Sequence, residues 1–165
     1  YNWYDKCWSR YSDQYFFSQT EEEPQRNYWF TANATEPDRF MDRLGETLKA
    51  VAKEASEGGR KKFATKTENF SAFEPLYTMA QCTSDLSGVD CLHCLDKSIN
   101  NLPRCCYGSV GGVTVKPSCY LRHETYAFYQ EEEEEPLPPA PRQGQFLFLP
   151  QEETSICFPY RQLGK

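Results

Sequence analysis

Between Thr35 and Gly59 apolar side chains return every three or four residues. Phe40, Leu44, Leu48, Val51, Ala52 and Ala55 fall on one stripe, with Asp42, Arg43, Glu46, Lys49 and Lys53 off it. That period predicts an amphipathic helix with one buried face. Its ends are marked: Thr35 with Asp38 has the spacing of a capping box, Pro37 suits a first turn, and Gly58-Gly59 supplies a left-handed stop.

The period then shortens to that of strands. "KKFATKTENF" and "EPLYTMAQC" read as two strands separated by Ser71 to Phe73. "GSVGGVTV" and "SCYLRHETYAFY" read as a glycine turn and two more; the second alternates Cys119 and Leu121, then Tyr126 and Phe128 after a slip that a bulge absorbs. Between these pairs, Ser87 with Asp90 forms a second capping box, opening a helix that runs to Leu102 and ends at Pro103. Cys91, Cys94, Leu95, Ser98, Ile99 and Leu102 share one face of it, so both cysteines point toward whatever the helix packs on.

The flanks break this order. Residues 1 to 17, "YNWYDKCWSRYSDQYFF", have the aromatic density of a strand with an extension, and 18–26 read as a linker solvated by its glutamates. Residues 130–144, "QEEEEEPLPPAPRQG", combine self-repelling glutamates with prolines that favour an extended chain, which makes a stalk. The tail, 145–165, takes no assignment from its pattern.

With 165 residues and 39% apolar content the chain holds one complete domain with a real core plus flanking pieces. The net charge of −6 opposes attraction to phosphate backbones and anionic lipid surfaces, so no nucleic acid is expected as a partner. No apolar run of about 18 residues is present, so no membrane insertion by this chain is expected; lacking a signal segment, it reads as a mature piece or fragment. Eight cysteines point to an oxidising compartment. Two N-x-[ST] sequons, Asn33-Ala-Thr35 and Asn69-Phe-Ser71, fit the same compartment and make Asn33 and Asn69 candidate glycosylation sites.

"QCTSDLSGVDCLHCL" places Cys82, Cys91 and Cys94 at C-x8-C-x2-C. Structural zinc needs four ligands in tetrahedral reach; here only Cys91-x-x-Cys94 has the form of a ligand pair, Cys105-Cys106 is adjacent, and no metal is expected. A redox dithiol at a helix start is disfavoured by Asp90, which opposes a thiolate, and by Cys82 and Cys119 on flanking strands. Structural disulfides explain more. A Cys82–Cys91 bridge staples the strand-to-helix turn, and Cys94 bridged to Cys119 ties helix to sheet. In the loop-entropy view these closures contribute roughly 3 and about 3.5 kcal/mol.

The same residues carry a resemblance. C-x8-C-x2-C followed by "LPRCCYGSVGGVTVKPSCYLRHETYAFY" resembles the plant ginkbilobin-homologous domain, a cysteine-rich antifungal and stress-response module, over residues 27–129. Such modules occur in secreted proteins and, in tandem, in ectodomains of cysteine-rich receptor-like kinases. "WYDKCWSRYSDQYFF" resembles the closing strand of a preceding copy: Cys7 matches Cys119, Arg10 matches Arg122 and Phe16 matches Phe128. Residues 1–17 are thus expected to be the remnant of a first module, beside a tandem partner of the same fold.

The resemblance implies an α+β fold, an antiparallel sheet of about five strands with two helices on one face, stapled by Cys82–Cys91 and Cys94–Cys119. Single-module relatives pair the cysteine matching Cys106 with one near their N-terminus. This chain has none between Cys7 and Cys82, so Cys7, Cys105, Cys106 and Cys157 stay unassigned. Relatives that bind mannose use an Asn, an Arg and a Glu. Glu124 matches the Glu and is the candidate carbohydrate-binding residue, but Val113 stands at the Arg position and cannot donate to a sugar hydroxyl.

No cofactor and no catalysis are expected. His93 and His123 are the only neutral-pH bases, and neither lies in a nucleophile motif. The leading expectation is a non-catalytic extracellular recognition module in defence or stress signalling, taking a protein or carbohydrate ligand in the apoplast; the alternative is a secreted antifungal, mannose-binding, lectin-like protein. Trp3, Tyr4, Trp8, Tyr28 and Trp29 gather near the junction of remnant and module, where they suit an interface between modules or a ligand patch.

Overall fold

Residues 15–71 and 74–129 are described in full by a computed structural model, together with the backbone of three short strands near the termini. Element order is β1 (Asn2–Trp3), β2 (Cys7–Ser9), β3 (Arg26–Trp29), α1 (Pro37–Glu57), β4 (Phe63–Ser71), β5 (Glu74–Cys82), α2 (Gly88–Cys105), β6 (Gly112–Val115), β7 (Cys119–Glu124) and β8 (Ser155–Cys157).

Residues 12–128 form one unit. Its sheet has five antiparallel strands in the order β3-β6-β7-β5-β4, so β3 and β4 are the two edges. Strand alternation sends Leu76, Ala80, Cys82, Cys119 and Leu121 to one face, where they meet the stripes of α1 and α2 in a single core. The α+β architecture expected from the sequence is the one observed. All six stripe residues of α1 and all six on the shared face of α2 are buried.

Element ends differ from expectation in three places. The Thr35–Asp38 capping box does not form: Glu36 is the N-cap and makes no side-chain cap bond, because the residue before Pro37 is held extended, with φ −119°. The Asp38 carboxylate instead accepts from the Tyr107 hydroxyl. The second cap does form, with Ser87 Oγ accepting from the Asp90 N–H at 3.1 Å. Its helix does not stop at Pro103 but carries it in the last turn and closes with the Cys106 N–H donating to Leu102 O at 2.9 Å. Finally, β7 ends at Glu124, so Tyr126 and Phe128 leave the strand rather than continuing it past a bulge.

Part of the stretch expected to be a solvated linker is anchored. Glu21 N–H donates to Ser118 Oγ at 2.8 Å, and Glu22 takes a 2.7 Å hydrogen bond from Lys97 Nζ. The glutamate run suggested solvation, but its partners lie 75 and 97 residues away in sequence and leave no local signal.

Residues 1–11 and 129–165 form a second unit. It holds a three-stranded antiparallel sheet, β1-β2-β8, in which Cys7 stands opposite Cys157 in register. The tail left unassigned by its pattern thus supplies a strand. The side chains of Trp3, Tyr4, Cys7, Trp8 and Cys157, and the whole stalk, lie outside the described residues.

Candidate functional site

Six of the eight cysteines are joined in disulfides. Cys82 is bonded to Cys91 with Cα atoms 5.6 Å apart, and Cys94 to Cys119 with Cα atoms 6.2 Å apart. All four are buried, so neither bond presents sulfur to solvent. Cys105 is bonded to its neighbour Cys106 at the end of α2. Among the described residues no group of three or more His, Cys, Asp and Glu side chains is placed to hold a metal ion.

The two histidines divide by environment. His123 is buried on the helix side of β7, its Nε2 3.2 Å from Ser109 O, and burial drives its pKa down to about 4. It is a neutral packing residue. His93 is exposed on α2, 3.9 Å from Glu22. Among the described residues neither meets a nucleophile.

The chemistry that remains gathers where β3, β6 and β7 end. Arg122 and Glu124 sit two apart on β7 and therefore on one face. Arg122 Nε donates to Glu124 Oε1 at 3.0 Å, Nη2 reaches the Tyr126 hydroxyl at 3.3 Å, and the guanidinium lies 4.3 Å from the Phe128 ring centroid. Glu124 is buried beside Gly111 and Phe30. Burial lifts its carboxyl above the usual carboxylate range against the pull of Arg122, and Oε2 has no hydrogen-bond partner among the described residues.

Over this ion pair stands an apolar rim. Tyr28, Phe30 and Tyr126 are 47–59% exposed, and the rings of Phe30 and Tyr126 are 6.5 Å apart. Register supplies the reason: Tyr28 pairs with Val113 on the face of the ion pair, whereas Trp29 pairs with Gly112, opposite His123, and is exposed on the other face. Val113 in turn stands opposite Arg122. A guanidinium thus approaches the valine position from the neighbouring strand, but Glu124, Tyr126 and Phe128 already engage it. Sequence reading singled out Glu124, Tyr28 and Trp29; it missed Phe30, which only the close approach at Gly111 brings to the carboxylate.

Residues 26–126 match the family described as salt stress response/antifungal. The chain belongs to that family. Among relatives of this salt stress response/antifungal chain, cysteine-rich receptor-like protein kinase 25 of Arabidopsis thaliana is 44% identical over 131 residues, covering 78% of this chain and 19% of that protein. An antimicrobial ginkbilobin-2-like protein of Castanea crenata is 36% identical over 126 residues, covering 76% of this chain and 52% of the relative. The chain therefore spans only a fifth to a half of these two relatives. The tandem DUF26 ectodomain of the Arabidopsis thaliana cysteine-rich receptor-like protein PDLP8 shares the fold, with a TM-score of 0.54 and 24% identity over 63% of this chain and 49% of that one.

Proposed function

We propose that this chain is a non-catalytic extracellular recognition module of a plant cysteine-rich receptor-like kinase or a related secreted protein, acting in defence or stress signalling. The observation that carries the reading is the exposed rim of Tyr28, Phe30 and Tyr126 beside the Arg122–Glu124 pair. Rigid aromatics around a desolvated ion pair are what a protein-binding surface uses for affinity and register. Among the described residues beside that surface, no side chain pairs a nucleophile with a base.

Relatives named as receptor-like kinases and as an antimicrobial protein support an extracellular location, with a tandem module or an apoplastic ligand as partner. A second reading, a mannose-binding antifungal protein, draws on the unpartnered Glu124 Oε2. Val113 and the enclosure of that oxygen behind Phe30 weigh against it.

Titration of the disulfide-intact chain with yeast mannan, and cross-linking to apoplastic wash proteins, separates the two. The recognition reading expects a cross-linked protein species lost in Tyr28→Ala and Phe30→Ala, with no heat from mannan. Mannan binding abolished by Glu124→Gln would replace it with the lectin reading.

A further inference from the structure

We propose that Asn33 and Asn69 carry N-linked glycans that close the two open edges of the five-stranded sheet. The sequons are separated by the whole of α1 and most of β4, yet the topology sends one to each edge. Asn69 lies on β4, the last strand at one side, and Asn33 continues β3, the last strand at the other. Both side chains are exposed.

The geometry at Asn33 is specific. Val110 N–H donates to Ala32 O at 3.1 Å and Ala34 N–H to Gly108 O at 2.8 Å, which makes Asn33 and Ser109 the non-hydrogen-bonded pair between them. In that arrangement the N–H and C=O of Asn33 itself point away from Ser109, toward the open side. An added strand would pair with them first. At the other edge, β4 is nine residues long, and its register slips between Asn69 and Ser71. The modified residue adjoins a bulge, which is itself a device against edge pairing. A branched oligosaccharide is far bulkier than the roughly 4.8 Å spacing between paired strands, so one on each edge bars strand addition there.

In the modifying step the Asn amide nitrogen attacks the anomeric carbon of a polyprenyl-pyrophosphate-linked oligosaccharide. A C–N bond forms, the anomeric C–O bond breaks, the lipid pyrophosphate departs, and the amide proton passes to a base on the transferase. The hydroxyls of Thr35 and Ser71 complete the two acceptor triplets.

The test is intact-mass spectrometry of the chain secreted from a glycosylating eukaryotic cell, before and after peptide N-glycosidase. Two glycan mass steps are expected; Asn33→Gln removes one and Asn69→Gln the other. Thr35→Ala empties the first sequon without changing the Asn33–Ser109 pair, should Asn33→Gln fail to be secreted. An unmodified mass at either asparagine of the secreted wild type overturns the proposal. Sedimentation then reads the consequence: the glycosylated chain stays monomeric, while enzymatically deglycosylated wild type forms dimers or larger species at the same concentration. A deglycosylated chain that stays monomeric overturns the edge-closing role. Ligand binding enters neither measurement, so failure of the recognition reading and failure of this one are distinguishable.

Discussion

The Lys116 ammonium, 3% exposed, faces the Glu22 carboxylate at 3.7 Å. Burial of Lys116 outweighs the attraction of Glu22 and lowers its pKa below 10.5, so the pair is no large net stabiliser; leaving one partner alone is what costs. For Glu22, burial would raise the pKa, but the hydrogen bond from Lys97 and the charges of Lys116, Lys97 and His93 prevail and hold it below 4.5. Glu22→Gln is expected to destabilise the domain by roughly 1–3 kcal/mol at pH 7, and Glu22→Gln with Lys116→Met to recover most of that. A depressed carboxyl stabilises above its unfolded pKa, and that contribution disappears as pH falls through its folded pKa. Urea midpoints should therefore show a loss below about pH 4.5 in the wild type that is smaller in Glu22→Gln.

His123 supplies a separate pH window. Burial lowers its pKa from 6.5 to about 4, assisted by the Arg122 charge and opposed by the contact with Ser109 O. The unfolded chain binds its proton more readily, so stability is full above pH 6.5, falls as pH drops toward 4, and loses no more to this group below that. The loss amounts to about 3 kcal/mol at most. His123→Gln should flatten the urea midpoint across that window; an unchanged slope would mean that the ring protonates without unfolding.

The parts of the fold carried by period were legible. Phe40 through Ala55 and Cys91 through Leu102 mark two buried helical faces because helix packing repeats every 3.6 residues and leaves that trace in one short stretch. Contacts set by chain return left no such trace. Glu22 meets Lys97 and Lys116 only after two helices and several strands are in place, so a charged run read locally suggested solvent. Phe30 reaches Glu124 only because Gly111 lacks a side chain. Glu124 stood out only by its match to a sugar-binding position, and nothing local showed that its carboxylate would be enclosed beside Arg122.

Loop length separates the disulfides. Cys94 and Cys119 close 25 residues and join α2 to β7, whereas Cys105 and Cys106 are adjacent and constrain almost no unfolded chain. Replacing Cys94 and Cys119 together by Ala is expected to cost about 3.5 kcal/mol, and replacing Cys105 and Cys106 together under about 1 kcal/mol. Chemical denaturation of the two double variants, with disulfides mapped under non-reducing conditions, checks the ranking. Equal losses would place the stabilising effect outside loop closure.

Gly111 is the position at which the rim and the ion pair are fitted together. A Cβ added there would run into Glu124 Oε2 and the Phe30 ring. The ring sits at the edge of the sheet and can swing outward, whereas the carboxylate is tied to Arg122 at 3.0 Å and has little room to move. Gly111→Ala is therefore expected to cost roughly 1–3 kcal/mol, from displaced packing and from a weakened Arg122–Glu124 bond. Glu124→Ala in the same chain removes the obstacle, so the two changes should be strongly non-additive, with a double variant more stable than the sum of the single losses. Denaturation midpoints of the four-member cycle measure this coupling. Simple additivity would show that Phe30 alone absorbs the new methyl and that the carboxylate is not held against the turn.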